Sequence, residues 1–133
     1  MNGKAYIVKD RPQPLAHYPH MRQVGNLVFC SGLSARQPDG TVPGGGANIR
    51  IQTEAVLENL KALLAAIGLT LENVVDITVF LIDMVDYGGF NEVYNRYFLA
   101  ESGPTRTTVG VRSLPGSHLL IEVKAVAWNP HAA

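Results

Sequence analysis

Two side chains in the C-terminal part of the sequence have the chemistry to act on a small carboxylic acid. Arg106 ends the run Gly-Pro-Thr-Arg, and Glu122 ends the run Leu-Leu-Ile-Glu. A guanidinium binds a carboxylate through two parallel hydrogen bonds, and a glutamate can position a water molecule and accept its proton. A structural ion pair between two strands explains the same residues, and the sequence leaves both interpretations open.

The spacing of apolar residues around this pair predicts a closing hairpin. Odd positions from 119 to 127 are all apolar, and Glu122 falls on the other face of that strand. The preceding strand carries Arg106 on one face with Thr108, Gly110 and Arg112. The run Leu-Pro-Gly-Ser at 114–117 predicts a tight turn between the two strands. On adjacent strands, Arg106 and Glu122 would share one surface of the sheet.

The rest of the sequence predicts four further strands and two helices. Strands are expected at residues 5–8, 21–24, 27–30 and 75–84. Leucines and isoleucines at three- and four-residue spacing predict a helix from about residue 49 to 67, ended by Gly68. Asp86 is expected to cap a second helix from about residue 87 to 100. The order β-β-β-α-β-α-β-β describes one two-layer α+β domain over residues 1–133, with a mixed six-stranded sheet and both helices on one face.

Composition narrows the class of protein. The chain has 133 residues, of which 47% are hydrophobic and 17% charged, with a formal net charge of zero. No apolar run predicts a membrane span or a signal peptide, and the neutral charge argues against nucleic acid as the main partner. One cysteine, Cys30, cannot form an internal disulfide, so we expect a cytoplasmic protein.

The sheet face away from the helices is expected to be too apolar for water and too polar for a core. Aligned registers place these residues on it: Asp76, Thr78, Phe80, Ile82, Thr108, Leu120 and Val126. Burial against other copies of the chain would resolve that conflict.

Other reactive side chains give weaker signals. His17 and His20 have metal-ligand spacing but no tight cluster of further ligands, so no metal site is predicted. Cys30 lies in an apolar strand and is expected to be buried and inert. Ser31 lacks the elbow motif of a serine hydrolase. The three glycines at 44–46 lack the Gly-Lys-Ser/Thr ending of a phosphate loop.

The sequence resembles the reactive-intermediate deaminase (RidA/YjgF) family over residues 15–128. Gly103-Pro-Thr-Arg106, Leu114-Pro115 and Leu120-Ile-Glu122 carry the resemblance, and Tyr18, the Ser31-Gly32 pair and the run 90–94 agree with it. The resemblance implies a homotrimer with chorismate-mutase-like architecture, pockets between subunits and no cofactor.

Within that family, the sequence is most similar to 2-aminomuconate deaminases. Residues 19–22, 86–94, 103–109 and 118–122 carry this likeness. General imine deaminases usually carry a cysteine two residues after the arginine, where this chain has Thr108. The segment after Gly40 is shorter than in aminomuconate deaminases.

The resemblance implies hydrolysis of an enamine or imine acid to a keto acid and ammonia. Arg106 would bind the C1 carboxylate, and Glu122 would deprotonate the attacking water, with a pKa lowered by the nearby arginine. Tyr18, Ser31, Gly32, Asn91, Thr108 and His118 would complete the pocket, and His20 or Arg22 would bind the second carboxylate of aminomuconate. The alternatives are a general 2-imino acid deaminase and a non-enzymatic trimer that binds ligands or acts as a chaperone.

Overall fold

The structure, a computed structural model, describes residues 3–131. Within these residues the chain forms seven β-strands and two α-helices. The strands are β1 Lys4–Tyr6, β2 Met21–Val24, β3 Leu27–Cys30, β4 Leu33–Ser34, β5 Val74–Leu81, β6 Thr105–Gly110 and β7 Ile121–Trp128. The helices are α1 Ile49–Ala65 and α2 Tyr87–Tyr97. The α+β class is confirmed, and β4 is the strand that the six-strand prediction lacked.

The helix ends follow from local hydrogen bonding. The Asn48 side chain accepts a bond from the Ile51 amide at 3.0 Å and starts α1. Gly68, with φ +77°, allows the chain to turn back after α1. Asp86 precedes α2 as predicted, but its side chain makes no capping bond. Asp83 accepts from the Val85 amide instead and caps the short 3₁₀ turn before α2.

The strand order corrects the predicted closing hairpin. The sheet runs β1-β2-β3-β7-β5-β6, with β4 also on β7, so β5 lies between β6 and β7. β6 pairs with β5 in parallel after the α2 crossover, whereas β7 pairs with β5 antiparallel. A crossover through a helix returns a strand beside its predecessor, and this leaves the other edge of β5 for β7.

The two sheet faces differ in what covers them. The helix-covered face holds the core, including Ile77 and Val79 of β5, Ile121 and Val123 of β7, and Leu60 of α1. The opposite face, called here the open face, carries Phe29, Phe80, Val109, Val126 and Trp128. Phe29 and Trp128 are 39% and 49% exposed. Thr108 pairs with Val79 and therefore lies on the helix-covered face, not on the open face as predicted.

Length and apolarity rule out a membrane span for every helix within residues 3–131.

Candidate functional site

A cavity of about 750 Å³ opens between three loops at one end of the sheet. Residues 12–18, 31–42 and 115–119 supply most of its walls, and Glu122 reaches it from the start of β7. Six of the residues proposed from the sequence line this cavity: Tyr18, His20, Ser31, Gly32, His118 and Glu122. Most of the other lining side chains are apolar or small, as in pockets that hold small organic molecules.

A bulge in the sheet brings Glu122 and Gly32 together. Phe29 of β3 pairs with Val126 of β7, and Leu33 of β4 pairs with Val123 of β7. Between these two pairs the β3–β4 segment advances four residues and β7 advances three, so the segment that contains Gly32 has one extra residue. A Cβ at Gly32 would lie 2.5 Å from Glu122 Oε2. Glycine therefore leaves the space that the carboxylate fills.

Burial raises the pKa of the Glu122 carboxyl. The lowered pKa predicted from a neighbouring arginine is wrong for a single chain, because Arg106 contacts other side chains on the far side of the sheet. A carboxylate that has lost part of its hydration is a stronger base toward a bound water molecule.

His20 is a structural residue of the cavity wall. It is 4% exposed, its Nδ1 accepts from the Val8 amide at 3.0 Å, and its Nε2 lies 2.8 Å from the Pro12 carbonyl. The amide can only donate and the carbonyl can only accept, so Nε2 carries the proton. Both ring nitrogens are thus occupied, which contradicts the predicted role in binding a second carboxylate.

Ser31 has a similar supporting role. Its hydroxyl donates to the Pro19 carbonyl at 2.7 Å, and its amide donates to the His20 carbonyl at 3.0 Å. These bonds hold the end of β3 against the segment that carries Tyr18. The Tyr18 ring, 44% exposed, stands at the cavity.

Two buried side-chain amides of α1 position the other walls, a role that was not predicted from the sequence. Gln52 donates to the His118 carbonyl at 2.6 Å and accepts from the Leu120 amide at 2.9 Å. Asn59 donates to the carbonyls of Ser34 and Arg36 at 2.9 and 3.0 Å. Both residues fall on the apolar side of α1, where a buried amide needs hydrogen-bond partners. That position is the feature of the sequence from which their role could have been predicted.

His118 lies before β7, in a left-handed conformation with φ +66°, rather than on the strand beside Glu122 as predicted. Gly46 packs against it, since a Cβ there would come 3.0 Å from the Cα of His118. The Gln52 bonds hold this segment at the cavity.

Arg106 lies on the helix-covered face of the edge strand β6, over the aromatic side of α2. Its guanidinium carbon lies 4.7 Å from the ring centre of Tyr94 and 5.0 Å from that of Phe90. Nη2 donates to the Tyr87 hydroxyl at 3.1 Å. Within residues 3–131 no carboxylate pairs with this arginine, so the rings hold a cation that can bind an anion.

Asn91 and Thr108 lie on the same side of their elements as the arginine platform, the name used here for Arg106 and the rings of Tyr87, Phe90 and Tyr94. Asn91 follows Tyr87 by four residues and precedes Tyr94 by three, so it shares their side of α2. The Thr108 hydroxyl is buried and has no hydrogen-bond partner among the described residues. Burial also raises the pKa of Tyr94, while Arg106 opposes that rise.

Arg106 and Glu122 therefore do not share a surface within one chain. Arg106 is in register with the core residue Ile77, whereas Glu122 is in register with Phe80 of the open face. Two strand spacings, about 10 Å, also separate their strands. The described chain therefore carries a carboxylate at the cavity and, at a separate place, a guanidinium with no carboxylate partner within residues 3–131.

The remaining candidates lie outside the cavity. Arg22 pairs with Phe29 on the open face and does not line the cavity, so it is not placed for a second carboxylate there. Cys30 is buried, and burial raises the pKa of its thiol to about 11 although Lys124 opposes the rise, which keeps the thiol protonated near neutral pH. No group of three metal-ligating side chains occurs within residues 3–131.

Comparison with known proteins gives matches over almost the whole chain. The family model described as endoribonuclease L-PSP matches residues 8–129. A RutC family protein of Pyrococcus abyssi is 41% identical, with 97% of this chain and 99% of that protein covered. TdcF of Escherichia coli, described as a candidate reactive intermediate deaminase, is 34% identical over 91% of this chain and 95% of its own.

Solved structures give the same result. The crystal structure of E. coli TdcF with bound serine superposes with a TM-score of 0.83 at 32% identity, covering 95% of this chain and 98% of that chain. RidA from an Antarctic Psychrobacter superposes with a TM-score of 0.84 at 30% identity, covering 94% and 98%.

Proposed function

Because the chain belongs to the RidA/YjgF family, we propose that it is a hydrolytic deaminase of small 2-imino or enamine carboxylic acids. The observation that carries the proposal is Glu122, a half-buried carboxylate held in a cavity with a raised pKa. The serine in the E. coli TdcF structure supports a ligand with an amino-acid carboxylate. The anion-binding platform of Arg106 supplies the matching cation.

The reaction needs one water molecule and no electron transfer. Glu122 takes a proton from the water molecule as the water oxygen attacks the imine carbon, and it passes this proton to the imine nitrogen, which gives a tetrahedral carbinolamine. Glu122 then takes the remaining hydroxyl proton as the carbonyl forms and delivers it to the leaving nitrogen, which departs as ammonia. The products are a 2-keto acid and ammonia.

Arg106 binds the C1 carboxylate in this mechanism and fixes the neighbouring C2 carbon against the water. In this proposal the backbone of Gly32 hydrogen-bonds the substrate, and Tyr18, Ser31 and His118 shape the cavity. Asn91 and Thr108 act from the arginine side. Holding the C1 carboxylate on Arg106 and the water molecule on Glu122 makes the attack a reaction within one complex rather than a bimolecular encounter.

One copy of the chain supplies Glu122 in this proposal and a second copy supplies Arg106. Their location on opposite faces supports such a site, as does the apolar open face. We propose a homotrimer of chorismate-mutase-like architecture, in which the open faces meet inside and the helices lie outside. Sedimentation equilibrium of the wild type tests the trimer directly.

Within this class of acids, we propose 2-aminomuconate as the specific substrate. The alternative is a general 2-imino acid deaminase, for which 2-iminobutanoate is the test substrate. Neither His20 nor Arg22 is placed to bind the second carboxylate of aminomuconate in the cavity. The comparison of the two substrates therefore decides between a dedicated and a general deaminase.

Ammonia release from both acids tests the function. Arg106→Ala should lose most activity through weaker carboxylate binding, and Glu122→Gln should lose turnover while remaining folded. Wild-type kcat/KM in both variants contradicts the mechanism. Carboxylate binding by the wild type without any ammonia release favours the non-enzymatic alternative.

A further inference from the structure

The cavity beside Glu122 contains one basic side chain that the mechanism above does not use. Among the residues that line it, Arg36 is the only lysine or arginine, and Glu122 is the only aspartate or glutamate. His20 adds no free ring nitrogen, because both of its nitrogens bind backbone groups. Apart from His118 and Tyr18, the ionisable side chains available to a ligand in the cavity are therefore one carboxylate and one guanidinium.

Three hydrogen bonds fix Arg36 at the cavity wall. Its amide donates to the Ser34 hydroxyl at 3.2 Å, its carbonyl accepts from Asn59 at 3.0 Å, and its Nη2 donates to the Gln13 carbonyl at 2.7 Å. Asn59 is itself buried in α1. A long side chain anchored at its backbone and at its head loses little further freedom when it binds a ligand.

The head of Arg36 lies at the wall formed by residues 12–16. Gln13, which accepts its hydrogen bond, stands between Pro12 and Pro14, and both prolines line the cavity. A guanidinium has five N–H donors, and the bond to Gln13 uses one of them. No carboxylate within residues 3–131 forms an ion pair with Arg36, so its charge is not compensated inside the chain.

We propose that Arg36 binds a second acidic group at the far end of the substrate, so that the enzyme prefers dicarboxylic imino or enamine acids. The proposal rests on the deaminase function above. In it, Arg106 of another copy binds the carboxylate next to the reacting carbon, and Arg36 binds the distal one. A fork of N–H donors discriminates against a substrate that ends in a methyl group, since that end leaves the donors unpaired.

Binding of unreactive acids tests this role separately from catalysis. Isothermal titration calorimetry of the wild type would compare succinate, glutarate and adipate with butanoate, pentanoate and hexanoate. We expect at least one diacid to bind about tenfold more tightly or better than the monoacid of equal length. In Arg36→Gln the preference should fall to within about twofold, while monoacid binding stays near the wild-type value.

Two further variants complete the test. Arg96→Gln removes an exposed arginine of α2 that does not line the cavity, and it should keep the full diacid preference. Arg36→Lys keeps the charge without the fork, and it should keep part of the preference even if Arg36→Gln unfolds. Equal binding of diacids and monoacids by the wild type, or an undiminished preference in folded Arg36→Gln and Arg36→Lys, overturns the proposal.

Ammonia release from 2-iminobutanoate, a monoacid, tests the deaminase function alone. A protein that releases ammonia from it and shows no diacid preference retains the proposed function and loses the role of Arg36. A protein that shows the preference without releasing ammonia retains the Arg36 subsite and loses the catalytic proposal.

Discussion

The Glu122 carboxylate fills the space that a side chain at residue 32 would need. A Cβ on Gly32 would approach Oε2 to 2.5 Å and Cδ to 3.0 Å. The bulge between β3 and β4 creates this contact, because it brings the backbone of Gly32 against the start of β7. Bulges often re-aim side chains near active sites, and here one sets the position of the proposed base.

Gly32→Ala should therefore displace Glu122 and lower kcat by about 100-fold, the usual cost of misplacing a catalytic group by about 1 Å. The measurement is steady-state ammonia release together with a thermal melt. Gly88→Ala is the matched control, because a Cβ there meets no atom within 4 Å. An active Gly32→Ala enzyme would show that the Glu122 carboxylate need not occupy this position.

The raised pKa of Glu122 makes stability depend on pH. Burial favours the protonated carboxyl in the folded state, so the free energy of unfolding falls as pH rises from the ordinary glutamate pKa through the raised value. Glu122→Gln cannot ionise and should be more stable than the wild type at neutral pH. The advantage should shrink below the ordinary glutamate range.

Urea unfolding at acidic and neutral pH, at one protomer concentration, measures this difference. Repeating it in an Arg106→Ala background removes any guanidinium that another copy brings to Glu122. A stability difference that is constant with pH in that background contradicts the assigned pKa direction.

Tyr87→Phe should weaken substrate binding without slowing the chemical step. The variant keeps the ring but loses the 3.1 Å hydrogen bond that orients the Arg106 guanidinium. We expect KM to rise roughly three- to tenfold, in line with one lost hydrogen bond, with kcat unchanged. Tyr97→Phe is the control. It removes a hydrogen bond from the other end of α2 to Glu58 of α1 and should leave KM unchanged. A matching fall in kcat would assign Tyr87 another role.

Two inactive variants should restore activity when they assemble together. If a site takes Glu122 from one copy and Arg106 from another, a mixed oligomer of Arg106→Ala and Glu122→Gln contains some sites with both residues intact. Random mixing of equal amounts should give about one quarter of wild-type activity. Co-expression with two affinity tags and an ammonia assay measures it. Activity no higher than that of the separate variants argues for a site within one chain.

Local sequence patterns predicted most of the elements because their causes are local. The predicted strands at 21–24 and 27–30 are β2 and β3, joined by the two residues Gly25 and Asn26, and the apolar odd positions of β7 lie in the core. The helix spacing of α1 and the left-handed Gly68 are confirmed as well. Each of these features depends on side-chain periodicity or on the φ of one residue.

The candidate site was less predictable because its geometry depends on distant segments. Tyr18, Ser31, Gly32, His118 and Glu122 do line one cavity, but the hydrogen bonds of His20 to residues 8 and 12 could not be read from its neighbours in sequence. Arg36 and Asn59 resembled ordinary loop and helix residues. Their roles come from the folding of α1 against the loop that follows β4.

The sequence by itself indicated Arg106 and Glu122 as candidate residues and the alternation of side chains between the two faces of each strand. Only the tertiary structure decided how those strands are ordered. The turn residues 114–117 are compatible with a hairpin or with a connection that passes over β5, and local propensity does not distinguish them. β5 has two edges, and the α2 crossover gives one to β6 and leaves the other to the apolar strand β7. That non-local choice separates Arg106 from Glu122 and divides the proposed site into two halves.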